Sequence, residues 1–590
     1  MDSINVIILV AAGLALASVF SSMVAFRAGA PLLLLFLAIG LLAGQDGPGG
    51  IVFTDTRGAF LVGSAALSLI LFDSGFHTSL KSYRQAALPA IGLATIGVAV
   101  TANLVALPAH YLLRLGWPEA FLLGTILSST DAAALFFLLR VGGMTIRDRV
   151  RSTLEVESGT NDPVAAALTL AVVAWLSGDQ ASGWLDMALS LAAQLGIGIG
   201  AGIAGGFAIV LTVNRAKLEP GLYPVVVMGL ALAVAALANL LGGSGLLAAY
   251  LAGLFAGNAP LQWSGAIRRF QDAITWLAQI AMFLSLGLLA RPSQFPDTAL
   301  AGGLLAAVLI FVARPVAVFL CLAPFRFGGR EQLFIAWVGL RGAVSILLAL
   351  VPMLGGMAGG STVFHLSFLV VIASLLVQGW TVRPLARWLG LIVPEGAGPV
   401  DRMEVDLPGL ADRELVAYVL HPDSAVAQGR PVPRWARPLL IRRGDKVRSA
   451  PRQLQSGDRV YLLAAPAQVP LLDKLFGGAR AADEAEAALY GDFAIGPEVT
   501  IGALRDTYGL PIAAGDQTLT VRDLFRREFR SDLEIGDRVH LGAIDLIIRD
   551  IRDGQVLSVG LSLDPSAKPL QGWERFKAKL VAAIGAPGPG

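Results

Sequence analysis

EVESGTNDPVAAALTLAVVAWLS, residues 155–177, is the stretch that decides how this chain folds. From Pro163 to Ser177 it carries no charge. A helix crosses a bilayer on about 20 mostly apolar residues, so this reads as a membrane span. Its beginning is the opposite of apolar, with Glu155, Glu157, Ser158, Thr160, Asn161 and Asp162 in succession. Acids inside hydrocarbon are rare because they are costly, and those that stay are paired or used. On a helix Glu157 and Asn161 share a face, Asp162 is one step round, and Ser158 lies one turn before Asp162. Pro163 removes a backbone donor and leaves a carbonyl free nearby.

The rest of the chain agrees with a membrane reading. Of 590 residues, 55% are hydrophobic and 15% charged, against about 25% charged in an ordinary soluble chain. Mean hydropathy is +0.68. The charge deficit lies in residues 1–400, which hold 20 Lys+Arg and 17 Asp+Glu; residues 401–590 hold 25 and 26. A large membrane domain followed by a soluble tail is expected. A soluble enzyme is excluded. Net charge is +2, which gives no argument for nucleic acid as a partner. The single cysteine, Cys321, forms no intrachain disulfide, and the five histidines are scattered in sequence, so no zinc motif is visible. The first apolar run starts at Ile4 without a basic stretch before it, and reads as a span rather than a signal peptide.

Apolar runs between charge, Pro and Gly punctuation place thirteen spans near 3–25, 30–45, 57–76, 86–113, 118–140, 155–177, 183–213, 221–240, 242–258, 268–290, 298–323, 331–355 and 363–391. Odd-numbered loops and the segment after the last span hold 15 Lys+Arg; even loops hold only Arg57, Arg114 and Arg291. Positive charge marks the cytoplasmic side. The N-terminus is therefore expected outside and the tail in the cytoplasm, which requires an odd number of spans.

Six ionisable groups fall within spans: Asp73, Asp131, Glu157, Asp162, Arg314 and Arg341. One such acid is explained by pairing with an arginine to fix packing; six in one domain favour an ion pathway. Two segments look unable to stay helical. Leu127-Ser128-Ser129-Thr130-Asp131 sets three hydroxyls before an acid at mid-span, and Gly339-Leu340-Arg341-Gly342 flanks an arginine with glycines. Broken helices at the midplane build the sites of secondary transporters, with acids suiting the positive half-helix ends and cations the negative. Asp131 and Arg341 fit those two roles. Asp162, Ser158 and a freed Thr130 carbonyl could supply oxygens to an alkali cation. A carboxylate out of water holds a cation or a proton but not both well, which is the physical basis of exchange. Glu157 is expected to pair with Arg314.

These residues resemble the monovalent cation:proton antiporter family, in its NhaP-like electroneutral branch, over about residues 5–390. The resemblance is carried by Leu71-Phe72-Asp73-Ser74-Gly75, Ser129-Thr130-Asp131, Glu157-Ser158-Gly159-Thr160-Asn161-Asp162, Tyr250-Leu251-Ala252-Gly253-Leu254, Ala313-Arg314-Pro315 and Gly339-Leu340-Arg341-Gly342-Ala343. It implies an α-helical polytopic protein of about thirteen spans with inverted repeats and two crossing, unwound helices. It also implies a homodimer and an elevator-like alternating-access cycle. By motif, Asp162 is the ion- and proton-binding carboxylate, with Ser158, the Thr130 main chain and Asp73 as further ion-binding residues. Asn161, Asp131, Glu157, Arg314 and Arg341 support the site. Relatives often carry Glu where this chain has Asp73. Asn161 stands where electrogenic relatives carry a second Asp, and one carboxylate trading one proton for one cation moves no net charge, so electroneutral 1:1 exchange is expected.

Gly200-Ala201-Gly202-Ile203-Ala204-Gly205 fits a dinucleotide pattern, but it follows no strand and lies within a span. Small-residue packing between membrane helices is the better reading.

The expected domains are a transmembrane exchanger domain (1–393), a regulatory domain (402–476), a linker (477–488), a second small α+β domain (489–567) and a tail (568–590). The first regulatory stretch, with strands at Glu414–Leu420, Arg437–Arg442 and Arg459–Ala464 and a closing helix at Val469–Phe476, resembles the TrkA-C (RCK-C) domain of potassium-conductance regulators. The second has helices at Val499–Tyr508 and Val521–Phe529 and strands near Arg538–Leu541, Ile544–Ile551 and Gln555–Leu563. It resembles the transporter-associated domain of CorC/HlyC-type proteins. Gly572–Ile584 reads as a basic amphipathic helix. The expected function is exchange of K+ for H+ across the inner membrane; the potassium reading rests on the tail. Na+/H+ exchange is the close alternative, and a gated cation channel the distant one, since no filter-like run of backbone ligands is present. No resident cofactor is expected. The tail resemblance admits a small-molecule regulator, with a nucleotide among the candidates.

Overall fold

In the computed structural model the described residues are 2–28, 30–141, 144–146, 148–177, 184–259, 261–325, 327–357 and 359–393, with parts of 402–562. The chain divides into two compact units, Met1–Val393 and Pro394–Gly590.

The first unit is helical. Its elements are α1 (Asp2–Ala28), α2 (Leu32–Ala43), α3 (Thr56–His77), α4 (Leu80–Gly92), α5 (Val98–Tyr111), α6 (Trp117–Ile126), α7 (Ala132–Val141), α8 (Asp148–Ser177) and α9 (Trp184–Arg215). There follow α10 (Tyr223–Leu240), α11 (Gly245–Gly257), α12 (Ser264–Leu289), α13 (Phe295–Val308), α14 (Arg314–Leu322), α15 (Gly329–Trp337), α16 (Ala343–Leu348), α17 (Leu350–Leu354) and α18 (Gly360–Trp388). A π-helical turn, Leu93–Gly97, joins α4 to α5, and a second, Leu309–Ala313, joins α13 to α14. A two-residue antiparallel pair, β1 (Thr145–Ile146) with β2 (Ile392–Val393), ties the start of α8 to the end of α18.

Among the described residues, nine helical stretches are long and apolar enough to cross a membrane. Their outer faces are apolar: Leu9 is 73% exposed, Leu240 84% and Leu300 88%. A soluble surface does not carry so many large apolar side chains in the open, whereas hydrocarbon solvates them.

Backbone contact fixes how α3 and α11 pack. A Cβ on Gly75 would strike the Tyr250 carbonyl, one on Gly253 the Phe72 carbonyl, and one on Gly257 the Phe76 carbonyl. Glycines let membrane helices approach to backbone distance and gain dispersion contact there. On α9, Gly198, Gly202 and Gly206 meet α11 in the same way at Ser244, Ala248 and Ala252. This is the packing role expected for the glycine pattern of that span.

In the second unit β3 (Arg402–Val405), β4 (Glu414–Val419), β5 (Pro438–Arg443), β6 (Lys446–Ser449) and β7 (Arg459–Ala464) form an antiparallel sheet in the order β3-β4-β7-β5-β6. Buried Tyr418 stacks on Phe476 at 4.7 Å between ring centres. A second sheet holds β8 (Phe493–Ile495), β9 (Arg538–Leu541), β10 (Ile544–Arg552) and β11 (Gln555–Ser562) in the order β8-β11-β10-β9. Helices α19 (Ile501–Tyr508) and α20 (Val521–Phe529) share its apolar core through Leu504, Leu524 and Phe525. The expected linker, the terminal helix and most of the helix at 469–476 lie outside the described residues.

Candidate ion-binding site

The polar start of 155–177 lies within α8, which begins earlier than the apolar run, at Asp148, and runs unbroken through Pro163. A helix can project charged turns beyond the hydrocarbon, so apolarity marks the span and not the helix end. Glu157, Asn161 and Asp162 are 1%, 1% and 5% exposed.

Two interrupted helices abut this part of α8. The first break lies between α6 and α7. Leu127 and Ser128 close the end of α6 with bonds to Leu123 O and Thr125 O, after which Ser129, Thr130 and Asp131 leave the helix. The second lies between α15 and α16, where Gly339 to Arg341 are non-helical. The breaks touch: the Asp131 N–H donates to Leu340 O at 2.7 Å. Freed backbone groups buried in a membrane protein need partners. Side chains of α18 supply several. The Arg341 N–H donates to Ser374 Oγ (3.0 Å), Ser374 Oγ donates to Gln378 Oε1 (2.5 Å), and Gln378 Nε2 donates to Trp337 O (2.6 Å).

Electrostatics follow the half-helix ends. Arg341, 1% exposed, donates from Nη1 to Ser128 O and Ser129 O, both at 2.7 Å, at the carbonyl end of α6. Asp131 Oδ1 accepts from the Ala134 N–H at the amide end of α7 (3.2 Å), and a Cβ on Gly342 would strike the Asp131 carboxylate at the start of α16. Each fixed charge thus meets helix-end partial charges of opposite sign.

Asp162 is joined to the first break. Ser129 Oγ donates to its Oδ1 at 2.5 Å. Ser158 Oγ donates to Thr130 O at 3.1 Å, and Asn161 Nδ2 donates to Thr130 Oγ1. Asn161 Oδ1 is buried without a hydrogen-bond partner among the described residues. Within a few residues the site therefore offers a carboxylate, three hydroxyls, a main-chain carbonyl and an amide oxygen. An all-oxygen set of this kind has the chemistry to stand in for the hydration shell of an alkali cation.

A sodium/hydrogen exchanger transmembrane family profile matches residues 14–388. The chain belongs to this family. The exchanger is 41% identical over 572 residues to the K(+)/H(+) antiporter NhaP of Alkalimonas amylolytica, covering 95% of this chain and 99% of that one. It is 41% identical over 576 residues to the K(+)/H(+) antiporter NhaP2 of Shewanella oneidensis, covering 96% and 100%. A Na(+)/H(+) antiporter, NhaH of Halobacillus dabanensis, is 29% identical over 347 residues, 56% of this chain and 81% of its own. Among solved structures, the sodium proton antiporter MjNhaP1 from Methanocaldococcus jannaschii shares the fold. Its TM-score is 0.57 at 24% identity, over 65% of this chain and 99% of that chain.

The remaining residues expected at the site fall in two places. Glu157 and Arg314 form a buried two-point ion pair, Nη1 to Oε1 at 2.6 Å and Nη2 to Oε2 at 3.0 Å. Asp73 on α3 stands beside His77, with its Oδ1 3.1 Å from the imidazole Nδ1. Sequence reasoning missed Ser129 as the hydroxyl on Asp162, and missed Ser374 and Gln378 altogether. These last two were visible as polar residues one helical turn apart in an otherwise apolar run.

Proposed function

We propose that this exchanger trades K+ for H+ in an electroneutral 1:1 cycle at Asp162. The observation that carries the reading is the buried Asp162 carboxylate held by Ser129 at the edge of two abutting helix breaks. Ser158, Thr130 and Asn161 gather their oxygens beside it. Either a proton or a cation neutralises Asp162, so loading one displaces the other. Glu157 is engaged by Arg314 and Asp131 caps α7, which leaves Asp162 as the exchanging acid. Asp73 completes the route at the end of α3. Relatives bearing the K(+)/H(+) name align with 95–96% of this chain, most of the tail included, and this favours potassium. The alignment with a Na(+)/H(+) antiporter over 56% of the chain favours sodium as the second reading.

The architecture we propose is thirteen spans in two inverted halves. The helix breaks fall in the fifth and twelfth stretches and the π turns in the fourth and eleventh. These are corresponding positions in two six-span halves flanking α9, the pattern of inverted-repeat transporters. The loop charges support an N-terminus outside and a tail in the cytoplasm, and a cell inner membrane is the setting of this reading. A homodimer with an elevator-like movement completes the reading. The five-stranded and four-stranded sheets of the second unit support the proposed TrkA-C-like and CorC/HlyC-type domains, through which a small molecule regulates exchange.

Proteoliposomes with an internal pH dye test this. Addition of K+ should move protons regardless of membrane voltage, and Asp162→Asn should abolish the response while the protein still inserts. A response to Na+ alone selects the second reading. Rapid cation flux without proton movement would identify a channel instead.

A further inference from the structure

The histidines lie far apart in sequence, yet the fold brings one of them to two acids. Asp73 and His77 lie one turn apart at the end of α3. The imidazole Nδ1 is 3.1 Å from Asp73 Oδ1 and 3.1 Å from the Asp73 main-chain oxygen. Asp272 of α12 reaches the same point, its Oδ1 3.8 Å from His77 Nε2. Taking one ligand atom from each residue, the three lie within 4.8 Å of one another.

We propose that Asp73, His77 and Asp272 form a binding site for a divalent first-row transition cation such as Zn2+, distinct in chemistry from the alkali-cation site at Asp162. Two carboxylates balance the charge of a dication. An imidazole nitrogen is a poor alkali ligand and a good one for Zn2+, Co2+ or Ni2+. Three protein ligands with a position left open to water are a recurrent Zn2+ arrangement.

The geometry supports this in three ways. An acid and an imidazole at i, i+4 on a rigid helix project from one face. In the tautomer that donates from Nδ1 to the Asp73 carbonyl, Nε2 carries the lone pair and faces Asp272, the arrangement by which partners outside the ligand shell orient an imidazole in metal sites. Metal–ligand bonds of about 2.0–2.2 Å place tetrahedral ligands about 3.4 Å apart, so a pair at the 4.8 Å limit closes by about 1.4 Å. Asp272, 63% exposed, has the freedom to make that movement, and His77 at 36% leaves an entry from solvent. Arg268, in the first turns of α12, is directed elsewhere. Its guanidinium lies over the Phe76 ring at 5.3 Å and donates to Gly257 O at 3.4 Å.

A bound metal would tie α3 to α12 and occupy Asp73. Inhibition of exchange follows if Asp73 belongs to the ion route, and that consequence alone rests on the proposed function.

The test uses the purified full chain. Co2+ serves as the spectroscopic probe, with Zn2+ as competitor. One Co2+ per chain with visible bands of an N/O site is expected, displaced by Zn2+. His77→Ala and Asp272→Asn should each weaken binding by at least about tenfold, as loss of a ligand does at such sites. Both variants should exchange normally in chelator and escape Zn2+ inhibition. Binding that is unchanged in both variants, or no binding by the unaltered chain, overturns the site. Binding lost in the variants without any inhibition of the unaltered chain upholds the site and removes Asp73 from the ion route.

Discussion

Ser129 Oγ donates a 2.5 Å hydrogen bond to Asp162 Oδ1, across 33 residues of sequence. One partner lies in the non-helical segment after α6, the other on the unbroken α8. The bond therefore couples the charge state of the carboxylate to the conformation of the break. A hydrogen bond to a charged group is worth about 1.5–3 kcal/mol, more than a neutral one. Ser129→Ala should raise the K+ concentration for half-maximal exchange by about tenfold or more, with the protein folded and inserted. Unchanged half-saturation would remove Ser129 from the site.

The Glu157–Arg314 pair makes a separate prediction. The side chains are 1% and 4% exposed, so removing one leaves the other charged and buried. Arg314→Ala should destabilise the exchanger by about 3–5 kcal/mol, whereas replacing both residues with apolar ones of similar volume should cost far less. Thermal unfolding in detergent distinguishes the two. Equal losses for the single and double variants would show that the pair is not the cause.

Gly342 has no room for a side chain, because a Cβ there would overlap the Asp131 carboxylate. Gly342→Ala should push Asp131 from the start of α16 and disturb the contact between the breaks. Overpacking of this kind costs about 1–3 kcal/mol. Exchange should fall well before insertion does. Reconstituted flux at matched protein density is the measurement.

In the tail, Asp458 is buried and accepts from Arg443 at 2.6 and 2.7 Å and from the Gln455 N–H at 2.8 Å. The Arg443 hydrogen bond, and after it the Gln455 amide, hold its carboxyl below the ordinary aspartate value. A lowered value means that the stabilisation is complete above about pH 4 and is lost as pH falls through the folded-state value. Hydrogen exchange in β5 and β7 of the full chain should therefore accelerate only on strong acidification. Asp458→Asn should remove that acid step and already accelerate exchange at neutral pH.

Much of the site was visible in the sequence because membrane interiors make polar residues conspicuous. Ser128-Ser129-Thr130-Asp131 and Gly339-Leu340-Arg341-Gly342 stood out in apolar runs, and the structure interrupts the helices at both. The pairing of hydroxyls was less legible. Helical spacing set Ser158 near Asp162, but it did not show that Ser158 bonds Thr130 O or that Ser129 bonds Asp162. Spacing within one helix fixes which face a residue shares. It does not fix the rotation or depth of a second, broken helix against that face. His77 and Asp272 show the same limit, since only the packing of α12 on α3 makes them neighbours.

The sequence by itself determined that this chain is a polytopic helical membrane protein with a charged tail, where its helices must break, and which acids and arginines had to find partners. Those conclusions follow from the cost of charge and of unpaired backbone in hydrocarbon, which acts residue by residue. The Glu157–Arg314 pair was expected from the sequence and is formed, but only the tertiary structure decided the other partners: the Ser128 and Ser129 carbonyls for Arg341, Ser374 for the Arg341 amide, and Ser129 for Asp162. These bonds join residues far apart in sequence across helix surfaces, and backbone contact at residues such as Gly75 and Gly253 sets how closely those surfaces meet.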